Sequence, residues 1–228
     1  MAGITRAARK VYVKVVPVGI RRAPSVQRLK GKVLGHDAMY DADYYAEGVE
    51  PAAARSVPAI SASIVETFGT MRILDVGCGT GALLEALRGR GCTVHGLEYS
   101  EAGLEFCRKR ELDVTKFDLE NDTLELPGSF DVISSMEVAE HLPARVADRY
   151  VDILGTATDA VVFTAAGPGQ EGADHVNLQL PAYWLEKFAR HGFELDEPTT
   201  KAWQQAWTAD GNVESWYIEN LMVLRKAA

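Results

Sequence analysis

From Met71 onward the chain alternates short apolar runs with stretches of helical spacing. "MRILDV" (71–76) predicts a buried strand, and "GALLEALRGRG" (81–91) a helix with Leu83, Leu84 and Leu87 on its apolar side. "CTVHGLE" (92–98) predicts a second strand. "SEAGLEFCRKR" (100–110) predicts a helix, because Ser100 is a good N-cap. Further strands are expected at 112–118, 130–136 and 159–165, with a helix at about 143–154. "PAYWLEKFARHG" (181–192) predicts a helix with Pro181 in its first turn, "FELDE" a short strand, and "WYIENLMVLRK" (216–226) a last strand. Before this alternation lie an aromatic and acidic segment, "HDAMYDADYYAEGVEP", and a helix at about 52–68. Strands alternating with helices predict parallel pairing with right-handed crossovers, so an α/β, doubly wound, seven-stranded sheet of Rossmann-like type.

Composition changes this picture little, and charge changes it more. The 228 residues are 47% apolar and 25% charged, as expected of a globular chain. No apolar run approaches the roughly 20 residues a membrane span needs. The segment "VYVKVVPVGI" (11–20) is short and broken by Lys14 and Pro17, and no secretory signal is evident. Cys78, Cys92 and Cys107 form no C-x-x-C pair and are odd in number. Reduced thiols and a cytoplasmic location are therefore expected. Residues 1–36 hold nine Lys/Arg and no acid, whereas the rest holds 15 basic against 32 acidic side chains. We expect a basic N-terminal arm at 1–36 and one α/β domain over 37–228. Such an arm suits an anionic partner, or simply lies on its own acidic body.

The chemistry begins in "ILDVGCGTGALL", a glycine loop between a strand and a helix. Gly77, Gly79 and Gly81 permit a sharp turn and close approach of a ligand to the main chain. Nicotinamide or flavin binding is the rival reading. Three details weigh against it. The spacing is G-x-G-x-G, not G-x-G-x-x-G. Asp75, at the strand end, repels a pyrophosphate and suits a cation. Glu98 ends the second strand, placed to accept from both ribose hydroxyls, and Asp118 ends the third, placed to accept from an adenine amino group. S-adenosylmethionine, cationic and free of phosphate, fits that set.

With "VHGLEYS", "KFDLEND" and "FDVISSMEVAEHL" following in order, the chain resembles the class I S-adenosylmethionine-dependent methyltransferases. The resemblance is close over about 65–165 and looser toward the C-terminus. It implies an antiparallel last strand. It also implies that Asp75, Gly77 and Gly79 hold the methionine end of the cofactor and Glu98 the ribose. Asp118 with Leu119 would hold the adenine, and Tyr99 and Met136 would border the ligand. Substrate-side additions are expected at 37–68 and 166–184.

The fourth strand ends in "SSMEVAEHL" (134–142), where the fold faces the transferred methyl group. A helical turn there puts Glu137 and His141 on one face, beside Glu140. Two carboxylates and an imidazole suit a divalent cation. The E-x-x-E-H run is similar to that of the ubiquinone-type O-methyltransferases and the small-RNA 2′-O-methyltransferases. That likeness implies a metal set of Glu137, Glu140, His141 and His175, for Mg²⁺, Mn²⁺ or Zn²⁺. The loop carrying His175 departs from those families' pattern. Two other roles stay open: His141 or His175 as a catalytic base without a metal, and a capped, solvated turn.

Tyr40, Tyr44 and Tyr45, the loop with His175, Asn177, Gln179, Tyr183 and Trp184, and the tryptophans 203, 207 and 216 are candidates for the substrate wall. The expected acceptor is a hydroxyl on a small molecule such as a phenol, sugar or secondary metabolite. The acidic body disfavours RNA. N-methylation and a non-catalytic S-adenosylmethionine-binding module are the alternatives.

Overall fold

In a computed structural model, the chain is described over residues 40–227, apart from 124, 126, 127, 171 and 173. The basic arm at 1–36 lies outside the described residues. The first element is a helical turn, Ala42–Tyr44, which runs through a π-helical turn, Tyr45–Val49, into α1 (Glu50–Phe68). Then follow β1 (Arg72–Val76), α2 (Ala82–Gly89), β2 (Thr93–Glu98), α3 (Glu101–Lys109) and β3 (Val114–Lys116). The second half comprises β4 (Val132–Met136), α4 (Ala147–Thr156), β5 (Ala160–Thr164), α5 (Pro181–Ala189), β6 (Phe193–Leu195), α6 (Glu197–Asp210), α7 (Ser215–Asn220) and β7 (Met222–Lys226).

The seven strands form one sheet in the order β3-β2-β1-β4-β5-β7-β6. The first five are parallel, and β7 runs antiparallel to both β5 and β6. The doubly wound sheet with an antiparallel last strand is thus as the sequence implied. Parallel strands are covered on both faces, so β5 is apolar up to Thr164, while β4 buries Ser134 and Ser135 with their hydroxyls on Asp75 and the Val76 carbonyl. On one face Tyr150 and Leu154 of α4 and Trp184 and Phe188 of α5 pack on Phe163. On the other, Ile60 and Ile64 of α1 and Trp203 and Trp207 of α6 pack on Val162 and Val223. Trp203 Nε1 donates to Thr67 Oγ1 at 3.0 Å and Trp207 Nε1 to Ser63 Oγ at 2.9 Å, so each indole is both buried and satisfied. Both edge strands, β3 and β6, are only three residues long.

Two stretches differ from the sequence expectation. Helix α6 was not anticipated, although Asp196 caps it through Thr199 N, Pro198 lies in its first turn and Gly211 ends it at φ 75°. Residues 216–226 are not one strand, because the run Trp216–Ile218 lacks alternation and closes into α7. That turn packs Tyr217 and Ile218 on the α1–α6 layer and leaves Trp216 and Glu219 at a cavity mouth. Among the described residues no helix is long and apolar enough to cross a membrane.

Candidate active site

The strand order turns back between β1 and β4, and ligands bind beyond the carboxyl ends of strands at such a point. A cavity of about 830 Å³ lies there. Its floor is the glycine loop. Gly77, Gly79 and Gly81 all have positive φ, and at Gly77 a Cβ would stand 2.5 Å from Val138 Cγ2. The turn is fixed by Gly77 N and Cys78 N, which both donate to Leu97 O. Gly103 of α3 has a related role: a Cβ there would press within 2.9 Å of Gly79 O and 3.0 Å of Glu98 Cγ.

Glu98 is buried at the end of β2. Its Oε1 accepts from Tyr45 Oη at 3.0 Å and Ser100 N at 2.8 Å, and its Oε2 from Gly79 N at 2.8 Å. Burial pushes its carboxyl up, and those donors pull it part of the way back. Tyr99, Asp118, Leu119 and Met136 also face the cavity. Asp118 accepts from Glu120 N at 2.8 Å and Asn121 Nδ2 at 2.9 Å, which shapes the turn after β3. Asp75 differs from its expected place. It is 5% exposed, lies behind the loop rather than on the cavity wall, and accepts from Ser134 Oγ at 2.7 Å. Burial pushes its carboxyl up to about 7.

The opposite wall holds the acidic and histidine groups. Residues 137–141 do not form the anticipated α-helical turn. Glu137 takes φ 56°, and only Ala139–His141 form a 3₁₀ turn. Glu137 N donates to Thr164 Oγ1 at 3.0 Å, and Asn220 Nδ2 donates to Glu137 Oε1 at 3.1 Å. Left-handed backbone on a non-glycine residue is strained, and strain of this kind gathers at functional sites. The Glu140 carbonyl accepts from Val176 N and Asn177 N, which brings His175 under the turn. Ligand atoms of Glu140, His141 and His175 all lie within 4.8 Å of one another, whereas the Glu137 carboxylate falls outside that group. Glu140 is fully buried, no close hydrogen bond reaches either carboxylate oxygen, and the Glu137 carboxyl and Ala166 backbone lie beside it. Burial and the neighbouring Glu137 push its carboxyl well up. A buried carboxylate without close donors is costly unless paired, so this donor set fits a divalent cation. His175 Nδ1 stands 2.7 Å from Gln170 O, a carbonyl that can only accept, so Nδ1 carries the proton and Nε2 presents its lone pair.

Tyr40, Tyr44 and Tyr45 roof the cavity edge to face, with centroids 5.3 and 5.2 Å apart, and the Tyr40 ring meets His141 at 5.9 Å. Trp184, Trp203 and Trp207 are core residues, not a substrate wall. Asn177 is buried, and Gln179 donates to its Oδ1. Tyr183 packs on Trp184 and under the Lys187 ammonium. Of the tryptophans, Trp216 lines the cavity.

Residues 45–206 match the family described as "Methyltransferase domain". The chain belongs to that methyltransferase family. Curated relatives match this methyltransferase domain over a shorter core. The ubiquinone biosynthesis O-methyltransferase of Thiobacillus denitrificans (strain ATCC 25259 / T1) is 40% identical over 78 residues, 32% of this chain and 34% of that one. That of Pseudomonas aeruginosa (strain LESB58) is 38% identical over 78 residues, with the same shares. The chain thus spans about a third of the length of the curated relatives it matches. Among solved structures, CalS10 with bound S-adenosylmethionine, an amino pentose methyltransferase from Micromonospora echinaspora, aligns with TM-score 0.61 at 17% identity, covering 80% of this chain and 96% of that one. DesVI of Streptomyces venezuelae aligns with TM-score 0.60 at 19% identity, covering 81% and 96%. At that identity the likeness is one of fold, that of the class I methyltransferases.

Proposed function

We propose that this methyltransferase-domain chain transfers a methyl group from S-adenosylmethionine to a hydroxyl of a small molecule. The observation that carries the reading is the pairing of two walls around one cavity: buried Glu98 beside the glycine loop, and Glu140, which no close hydrogen bond reaches, with two histidines facing it. On the first wall Glu98 binds the ribose hydroxyls, Asp118 and Leu119 border the adenine, and the loop around Gly77 and Gly79 receives the methionine end. Asp75 acts on that end from behind the loop. The curated relatives are O-methyltransferases, which supports a hydroxyl acceptor.

On the second wall Glu140, His141 and His175 would hold a divalent cation such as Mg²⁺, Mn²⁺ or Zn²⁺, whose charge lowers the pKa of an adjacent hydroxyl. Glu137, held by Thr164 and Asn220, supports Glu140 from beside it. These residues orient the acceptor oxygen in line with the methyl–sulfur bond. The oxygen bonds to the methyl carbon, the carbon–sulfur bond breaks, and sulfur keeps the electron pair. The acceptor proton leaves to a basic group or to water.

A second reading is favoured by the His175 tautomer. With Nδ1 committed to Gln170 O, Nε2 is set to take the acceptor proton without any cation. Chelation decides between them. Under the cation reading, EDTA abolishes turnover, Mn²⁺ restores it, and Glu140→Gln loses Mn²⁺ binding measured by calorimetry. Full turnover in EDTA removes the cation reading, and loss of that turnover in His175→Ala is then the result the histidine reading requires. The three free, buried thiols, with Cys78 and Cys107 Sγ atoms 4.0 Å apart and unlinked, support a cytoplasmic location.

A further inference from the structure

Glu98 has little capacity left for a ligand. A carboxylate offers about four lone-pair positions, two on each oxygen. Oε1 is filled by Tyr45 Oη at 3.0 Å and Ser100 N at 2.8 Å, while Oε2 already accepts from Gly79 N at 2.8 Å. Two adjacent ribose hydroxyls engaging both oxygens need a position on Oε1. One of its two present donors has to yield. Ser100 N is fixed, because Ser100 caps α3 two residues beyond Glu98 itself. Tyr45 arrives from 53 residues away in sequence, on the π-helical turn Tyr45–Val49. Such wide turns recur at functional sites. The Tyr45 ring lies over the glycine loop, its Cε1 3.6 Å from where a Cβ on Gly79 would stand.

We propose that the Tyr45 hydroxyl and the cofactor's ribose compete for Glu98 Oε1, which makes Tyr45 a positioning residue that holds cofactor affinity down. The inference rests on the assignment of Glu98 to the ribose made above. Its consequence is opposite to that of an ordinary contact residue: removing the hydroxyl tightens binding.

The test is calorimetry of S-adenosylhomocysteine and of its 2′,3′-dideoxyribose counterpart against the wild-type chain and Tyr45→Phe. The expected result is that the variant binds S-adenosylhomocysteine about ten- to a hundred-fold more tightly, the worth of one hydrogen bond to a charged group. The dideoxy ligand changes less than about two-fold by the same reasoning, since it presents nothing to Oε1. The ratio of the two affinities within each protein is the deciding quantity, so a general loss of stability in the variant does not obscure it. A ratio unchanged or reduced in Tyr45→Phe overturns the competition while leaving the cofactor assignment standing. A wild-type chain that binds neither ligand, or binds both equally, removes the ribose role of Glu98 and the competition with it.

Discussion

Asp75 carries its carboxyl where water does not reach, and it accepts a hydrogen bond from the Ser134 hydroxyl. Burial disfavours the charged form and lifts its pKa from 3.8 to about 7. The folded state therefore binds the proton more tightly than the unfolded chain does. The stability this group contributes is fully present below about pH 4 and is lost as pH rises through 7. That displacement corresponds to roughly 4 kcal/mol. Asp75→Asn mimics the protonated carboxyl, so its stability relative to wild type should climb between pH 4 and 7 and then level. Denaturant unfolding at a series of pH values measures this. A difference between the two proteins that is flat with pH would remove Asp75 as the titrating group.

At the scale of elements, α6 is held by two indoles that reach α1. Trp207→Ala opens a cavity in that layer and leaves Ser63 without its donor, so a loss of about 3–5 kcal/mol is expected. S-adenosylhomocysteine affinity at low temperature should stay within about two-fold, because Trp207 belongs to the core and not to the cavity wall. Thermal unfolding and calorimetry check the two halves separately. The same helix marks the limit of what sequence pattern reveals. Most of the parallel strands were legible because each carries a short apolar run such as Ile73–Leu74 or Val161–Phe163, and their acidic ends drew attention to Glu98 and Asp118. Helix α6 escaped because its apolar signal is two tryptophans on an otherwise polar surface. Residues 216–218 were misjudged because three adjacent apolar residues look the same in a turn of helix and in a buried strand. Glu140, His141 and His175 were legible as chemistry. The Tyr45–Glu98 and Asn220–Glu137 bonds were not, since they join residues 53 and 83 positions apart.

At the scale of the whole molecule, the cavity draws together the lead-in helix, the ends of the five parallel strands and the turn before β7. A ligand seated there ties both halves of the sheet to the N-terminal segment. S-adenosylhomocysteine at 100 times its dissociation constant should stabilise the fold by about 2.7 kcal/mol, seen as a rise in melting temperature. NAD at the same concentration should leave it unmoved. A shift with NAD alone would reassign the cavity to a dinucleotide.

The two stubby margins of the sheet have a bearing on how this chain behaves in a crowded solution. Exposed strand borders invite neighbouring copies to stack on, and a three-residue border offers too few backbone donors and acceptors to hold one. Sequence changes that lengthened either border into a longer ladder would give neighbouring copies the template that these short margins withhold.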